Sequence, residues 1–132
     1  MKLKNETILR LVNAGLLNTT EHDVPVGHAV YAMKFRKNIG KAIKELAEQE
    51  VELTKDVDDE AKKAELLKAL HAEETEIGEV KKMPLESYLI LSAENRRTPV
   101  KVPGPDGETT TIYVDTFRVC EDILDGVLYD NE

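Results

Sequence analysis

Tryptophan is absent from this chain, and two Phe and four Tyr are its only aromatic residues. Its core must therefore rest on Leu, Ile, Val and Ala. The single cysteine, Cys120, excludes any intrachain disulfide, which fits the reducing cytosol. No run approaches the roughly 18 apolar residues of a membrane span. The opening Met1-Lys2-Leu3-Lys4-Asn5 turns polar at once and lacks the apolar centre of a secretory signal. A cytoplasmic protein without membrane contact is expected.

Several chemistries lack their residues. Histidine occurs only at positions 22, 28 and 71, so no pair has the i, i+4 spacing of helical metal ligands, and one cysteine rules out the cysteine-rich zinc patterns. A calcium loop starting at Asp56 would need glycine at its sixth position and glutamate at its twelfth; Ala61 and Leu67 stand there. The Asp56–Glu60 cluster instead suits a helix start, where acidic side chains meet the positive end of the helix dipole. There is no Gly-x-Ser-x-Gly and no glycine-rich phosphate loop. Cys120 sits among acids that raise a thiol pKa, the wrong direction for a nucleophile. No catalytic, cofactor-binding or metal residue is assigned, and an activity based on binding is expected.

What the chain has is charge in abundance. Charged residues make up 33% and apolar ones 41%, a mix that suits a folded domain with a heavily charged surface. Its 132 residues fit one domain spanning 1–132. The net charge of −8 is unevenly spread. Residues 1–44 are rich in Lys and Arg and residues 45–132 in Asp and Glu. The two parts could neutralise each other by packing; the alternatives are head-to-tail self-association or an acidic face aimed at a basic partner.

Hydrophobic spacing gives the elements. Lys2-Leu3-Lys4 reads as a short edge strand guarded by lysines. Asn5 is the expected N-cap of a helix carrying Ile8, Leu9, Leu11, Val12 and Leu16, stopped by Gly15. Residues 17–23 form a polar connection. Pro25 opens a long helix to about Lys55, with one apolar row at Tyr31, Phe35, Ile39, Ala42 and Leu46. A less regular row comprises Val26, Val30, Met33, Ile43 and Ala47. Gly40 in its middle costs about 1 kcal/mol against Ala, which a close neighbouring backbone would justify. A further helix using Ala64, Leu66, Leu67 and Leu70 makes a helical hairpin from about 26 to 74.

Thr75–Met83 reads as a short strand that could pair with Lys2–Lys4, and Pro84 opens a brief helix through Leu85, Tyr88, Leu89 and Ala93. Val100-Lys101-Val102 and Thr109–Val114 flank Pro103-Gly104-Pro105-Asp106-Gly107, the turn chemistry of a β-hairpin over 99–114. Asp115 or Thr116 caps a C-terminal helix with Phe117, Cys120, Ile123, Leu124, Val127 and Leu128 on one face. The fold class expected is α+β, predominantly helical.

Two charged clusters are candidate interaction sites. Lys34, Lys37, Lys41 and Lys44 share one helix stripe, with Arg36 adjacent, the arrangement that phosphate backbones favour. Glu45 and Glu48 follow Lys41 and Lys44 at i+4, however, which predicts ordinary surface pairing, and the acidity of the chain argues against direct nucleic-acid binding. Arg96-Arg97 is a weaker basic signal. The second cluster, Glu121, Asp122, Asp125, Asp130 and Glu132, could imitate nucleic-acid phosphates in a basic groove of a host protein, or form a solvated helix face.

Residues 1 to about 90 resemble an uncharacterised family of small proteins encoded by tailed phages and prophages. The motifs are Lys2-Leu3-Lys4-Asn5, Val24-Pro25-Val26, Tyr31, Lys37-Asn38-Ile39, Leu66-Leu67 and Glu76-Ile77-Gly78-Glu79-Val80-Lys81-Lys82-Met83-Pro84-Leu85. The 99–114 hairpin looks like an insertion relative to that family. The resemblance implies a phage or prophage setting and brings no activity and no catalytic residues. The expectation is a non-catalytic accessory protein acting through a phage or host protein partner or through self-assembly, without a cofactor; the alternative is an acidic regulator of a host protein.

Overall fold

The computed structural model describes residues 1–130. Strand β1 (Lys2–Lys4) runs straight into helix α1 (Asn5–Asn13), and a 3-10 turn (Leu16–Asn18) follows. Helix α2 (Val26–Thr54), helix α3 (Glu60–His71) and strand β2 (Glu74–Glu76) come next. Helix α4 (Leu85–Glu94), strands β3 (Thr98–Pro103) and β4 (Thr109–Val114), and the short helices α5 (Thr116–Val119) and α6 (Glu121–Leu124) complete the chain. The fold is α+β, with two small antiparallel sheets, β1–β2 and β3–β4.

Helix α2 is the spine. Ala29, Ala32, Phe35, Ile39, Ala42 and Leu46 recur at intervals of three and four and are all buried. Each large side chain so buried contributes roughly 1.5–3 kcal/mol. The core set against this stripe comprises Ile8 and Leu11 of α1, Tyr88 and Leu91 of α4, and Phe117, Cys120, Leu124, Leu128 and Tyr129 from the C-terminal region. The second row divides: Val26 and Met33 are 81% and 52% exposed, Ala47 is exposed, and Val30 and Ile43 are half-buried. Gly40 has no backbone against it; a Cβ there would lie 3.7 Å from the Leu17 side chain.

Helix α3 folds back along α2 as the expected hairpin, with Asp59 as its N-cap, accepting from the Ala61 N–H at 3.0 Å. None of its residues is fully buried: Leu66, Leu67 and Leu70 are half-buried and Ala64 is exposed. His71 Nε2 meets Glu50 Oε1 of α2 at 2.7 Å and ties its last turn down.

Asn5 departs from its expected role. Its side chain does not cap α1; it is 1% exposed and turned toward the other sheet partner. Its Nδ2 donates to Leu70 O at 2.7 Å, its Oδ1 accepts from the Thr75 hydroxyl, and its N–H donates to Glu73 O at 2.8 Å. A residue at the start of α1 thus adds a second donor to the Leu70 carbonyl, which also accepts from Glu73 N–H at 3.1 Å in the closing turn of α3, and β1 lies in register with β2, Leu3 opposite Thr75. The strand expected over 75–83 is confined to Glu74–Glu76; beyond it the chain has no regular structure until Met83 bridges to Tyr129.

Gly15 ends α1 as expected, at φ +91°. There the end of α1, strand β3 and the start of α5 converge, and Thr116 Oγ1 donates to Ala14 O at 2.6 Å. The C-terminal helix forms as two short segments that meet at Cys120, and residues 125–130 turn back, with Gly126 N–H donating to Tyr129 O at 2.7 Å. Tyr129 then stacks on Tyr88 with ring centroids 3.6 Å apart, while the Tyr88 hydroxyl donates to Phe117 O at 2.6 Å.

Candidate functional site: the lysine ridge of helix α2

Lys34, Lys37, Lys41 and Lys44 follow one another at steps of three, four and three residues, so a helix sets them along one face. All four are exposed. None has a carboxylate within 4.0 Å among the described residues, and the Lys41–Glu45 and Lys44–Glu48 pairs expected from the sequence are not formed. The neighbouring Arg36 does not join them. Its guanidinium binds the Glu21 carboxylate in a two-pronged pair and donates to Thr19 O at 3.0 Å, pinning the connection after α1 to the spine.

A cleft of about 400 Å³ opens beside the ridge. Tyr31, Lys34, Phe35 and Asn38 of α2 form one wall, and Glu79, Val80 and Lys81 form the other. Asn38 Nδ2 donates to Glu79 O at 3.3 Å, and the Lys81 ammonium lies 5.8 Å from the centre of the Tyr31 ring. Lys34 belongs to both ridge and cleft. The site therefore presents a row of ammonium groups that ends beside an aromatic face. It suits carboxylate-bearing surfaces, and it contains no nucleophile paired with a base.

The acidic candidates are dispersed. Asp122 holds Arg10 by two hydrogen bonds of 2.9 and 3.1 Å, and that guanidinium keeps its carboxyl below the usual carboxylate range. Asp130 pairs with Lys82 at 3.0 Å. Glu121 and Asp125 are exposed, Asp125 at the bend that bridges to Tyr129. Glu132 lies outside the described residues. Among the described residues, Arg10–Asp122 and the N-terminal ammonium on Glu76, at 2.6 Å, are ion pairs that join the basic and acidic parts of the chain.

Two other groupings place reactive side chains together or in the core. His28 Nδ1 and Ser87 Oγ are 2.6 Å apart, a base beside a hydroxyl. Ser87 is 1% exposed, so a substrate cannot reach its oxygen, and the pair serves to tie α4 to α2. Cys120 is buried in the core, and burial pushes its thiol pKa up, away from a reactive thiolate. Among the described residues no group of three or more His, Cys, Asp or Glu could hold a metal ion, and no helix is long and apolar enough to cross a membrane.

Sequence reasoning found the ridge but not the cleft. Tyr31 has the spacing of a core residue, and Lys81 sits in a charged stretch without periodicity; only the return of residues 77–82 onto α2 brings them together. Compared with protein-family models, curated proteins and solved structures, the chain matches none.

Proposed function

We propose that this chain is a non-catalytic binding protein, an accessory protein of a tailed phage or prophage acting in the host cytoplasm, and that the lysine ridge of α2 is its working surface. The carrying observation is that Lys34, Lys37, Lys41 and Lys44 stay exposed and unneutralised in a chain of net charge −8. Acids lie within helical reach at Glu45 and Glu48 and are not used. A positive row kept free on an acidic molecule selects a protein partner with an acidic surface. The resemblance of residues 1 to about 90 supplies the phage setting.

The test is a tagged pull-down from the host during phage growth, read by mass spectrometry, with Lys37→Glu/Lys41→Glu run in parallel. The expected result is a phage structural or assembly protein that binds the wild type, is lost with the charge-reversed variant, and weakens as salt rises. Equal recovery by both forms refutes the ridge. Recovery of a host nuclease that depends on Glu121 and Asp125 instead would replace this reading with the acidic-regulator one.

A further inference from the structure

We infer that strand β4 is an open pairing edge through which two copies of this chain join, β4 against β4, into one four-stranded antiparallel sheet. The inference rests on the hairpin and is independent of the lysine ridge.

The prolines of β3 fix which of its groups face outward. β3 pairs with β4 in the register Pro99–Tyr113, Lys101–Thr111 and Pro103–Thr109. Proline has no N–H, so within a paired strand it sits where that group would point away from its neighbour. The Pro99 carbonyl does point away, since it accepts from Asn18 Nδ2 at 2.9 Å. In an antiparallel ladder a residue's N–H and C=O lie on the same side, and sides alternate along the strand. The backbone groups of Thr98, Val100 and Val102 therefore serve the hairpin, and those at 99, 101 and 103 face outward. Across the ladder the same alternation turns the N–H and C=O of Thr109, Thr111 and Tyr113 away from β3.

The two edges are consequently unlike. On the β3 side two of the outward positions are prolines, Asn18 occupies a carbonyl, and Gly15 packs against Val100 and Thr98. The Arg97 guanidinium lies over the Tyr113 ring, 4.8 Å from its centre, but among the described residues the β4 strand itself carries no lysine, proline or bulge, the usual protections of an edge. Thr109-Thr110-Thr111-Ile112-Tyr113-Val114 has no charge. Every residue but Tyr113 is β-branched, and Thr109 to Tyr113 are exposed. In addition, β4 has only β3 beside it among the described residues.

A second copy fits this edge about a two-fold axis at Thr111. Thr111 then faces its own counterpart, Thr109 faces Tyr113, and Thr110 faces Ile112. The outward N–H and C=O groups of the three odd-numbered residues meet in pairs. Glu108 falls opposite Val114 and Asp115 opposite Gly107, so no like charges oppose one another. β-branched and aromatic cross-strand pairs of this kind stabilise a sheet. An edge contact this short buries less than a standard interface, so the dimer is weak and depends on concentration.

Sedimentation of the full chain up to about 1 mM tests this. The wild type is expected to shift from monomer to dimer. Thr111→Lys and Thr111→Glu are each expected to lose the dimer, and an equimolar mixture of the two to regain it. A folding defect is separated by a cross-linking arm: Thr111→Cys should oxidise to a covalent dimer, because paired positions lie about 5.5 Å apart, inside the disulfide range. Thr109→Cys, whose partner is Tyr113, should not. A wild type that stays monomeric, a dimer untouched by both charge variants, or equal cross-linking at 109 and 111 would overturn the proposal.

Discussion

Gly15→Ala is the sharpest probe of the packing. The substitution puts a Cβ on a residue at φ +91°, a conformation that costs an L residue about 1–2 kcal/mol. That Cβ would sit 2.7 Å from Val100 Cγ2, 3.1 Å from Thr98 Cγ2 and 3.3 Å from Thr116 Oγ1. The first distance is shorter than carbon atoms tolerate. Thr116 and Thr98 are held by their hydroxyls on Ala14 O and Asn95 O, and Val100 is itself buried. Any side-chain shift that relieves the contact must therefore be taken up by a packed core, and an overpacking cost of about 1–3 kcal/mol applies. Stiffening of the unfolded chain returns about 0.4–1 kcal/mol. The sum is a loss of roughly 1–5 kcal/mol, against a total stability of about 5–15 kcal/mol. Urea unfolding followed by circular dichroism should show a midpoint lower by roughly 1–3 M with an unchanged slope. Gly40→Ala is the matched control: its Cβ meets only Leu17 Cδ2 at 3.7 Å, so it should raise stability by about 1 kcal/mol. If Gly15→Ala falls no further than Gly40→Ala, the convergence of α1, β3 and α5 at this glycine is wrong.

Three further predictions follow from buried polar groups and ion pairs. Among the described residues the buried Tyr129 hydroxyl has no hydrogen-bond partner, so Tyr129→Phe should be neutral or stabilising, whereas Tyr88→Phe strands the Phe117 carbonyl and should cost about 1–3 kcal/mol in the same urea assay. Asn5→Ala removes the bonds to Leu70 and Thr75 and should cost about 1–3 kcal/mol; hydrogen exchange should show faster opening at Leu70–Glu76, while an ordinary lost cap would affect only Glu6–Leu9. Arg10 holds the Asp122 carboxyl below its ordinary value, so the contribution of this pair is present above the usual carboxylate range, about pH 4, and is lost as pH falls through the lowered folded value. In Arg10→Met the Asp122 titration midpoint, read by NMR, should rise; an unmoved midpoint would remove Arg10 as the cause.

Local chemistry was legible in the sequence and long-range chemistry was not. The 99–114 hairpin, the acidic helix start within Asp56–Glu60, the Asp115 cap, the stop at Gly15 and the Phe35–Leu46 part of the apolar row on α2 each depend on neighbours within a few residues, and each is present, while Tyr31 of that row is only half-buried. Asn5 resembles a cap because caps and buried ties use the same residue type; which one it becomes depends on the carbonyl of Leu70, far along the chain. The second row on α2 has helical spacing but too few partners to cover Val26 and Met33. Tyr129 lies outside any regular spacing, yet it closes the core by stacking on Tyr88. For the candidate site, the lysine row was readable because helix geometry alone sets it. Its freedom from Glu45 and Glu48 was not, because spacing permits a pair without requiring one. The pairing of Asp122 with Arg10 and Asp130 with Lys82 likewise has no signal in composition.

The hook that ends in Tyr129 also bears on how the protein is made. Tyr88, Leu91 and the α2 stripe leave the ribosome well before Leu124, Leu128 and Tyr129, the side chains that cover them. At roughly 5–20 residues added per second, that surface stays open for a time on the order of seconds. During synthesis the nascent chain thus displays an oily face of the kind that favours aggregation. Maturation of the chain is complete only when the hook has emerged and the Met83 N–H has found Leu128 O.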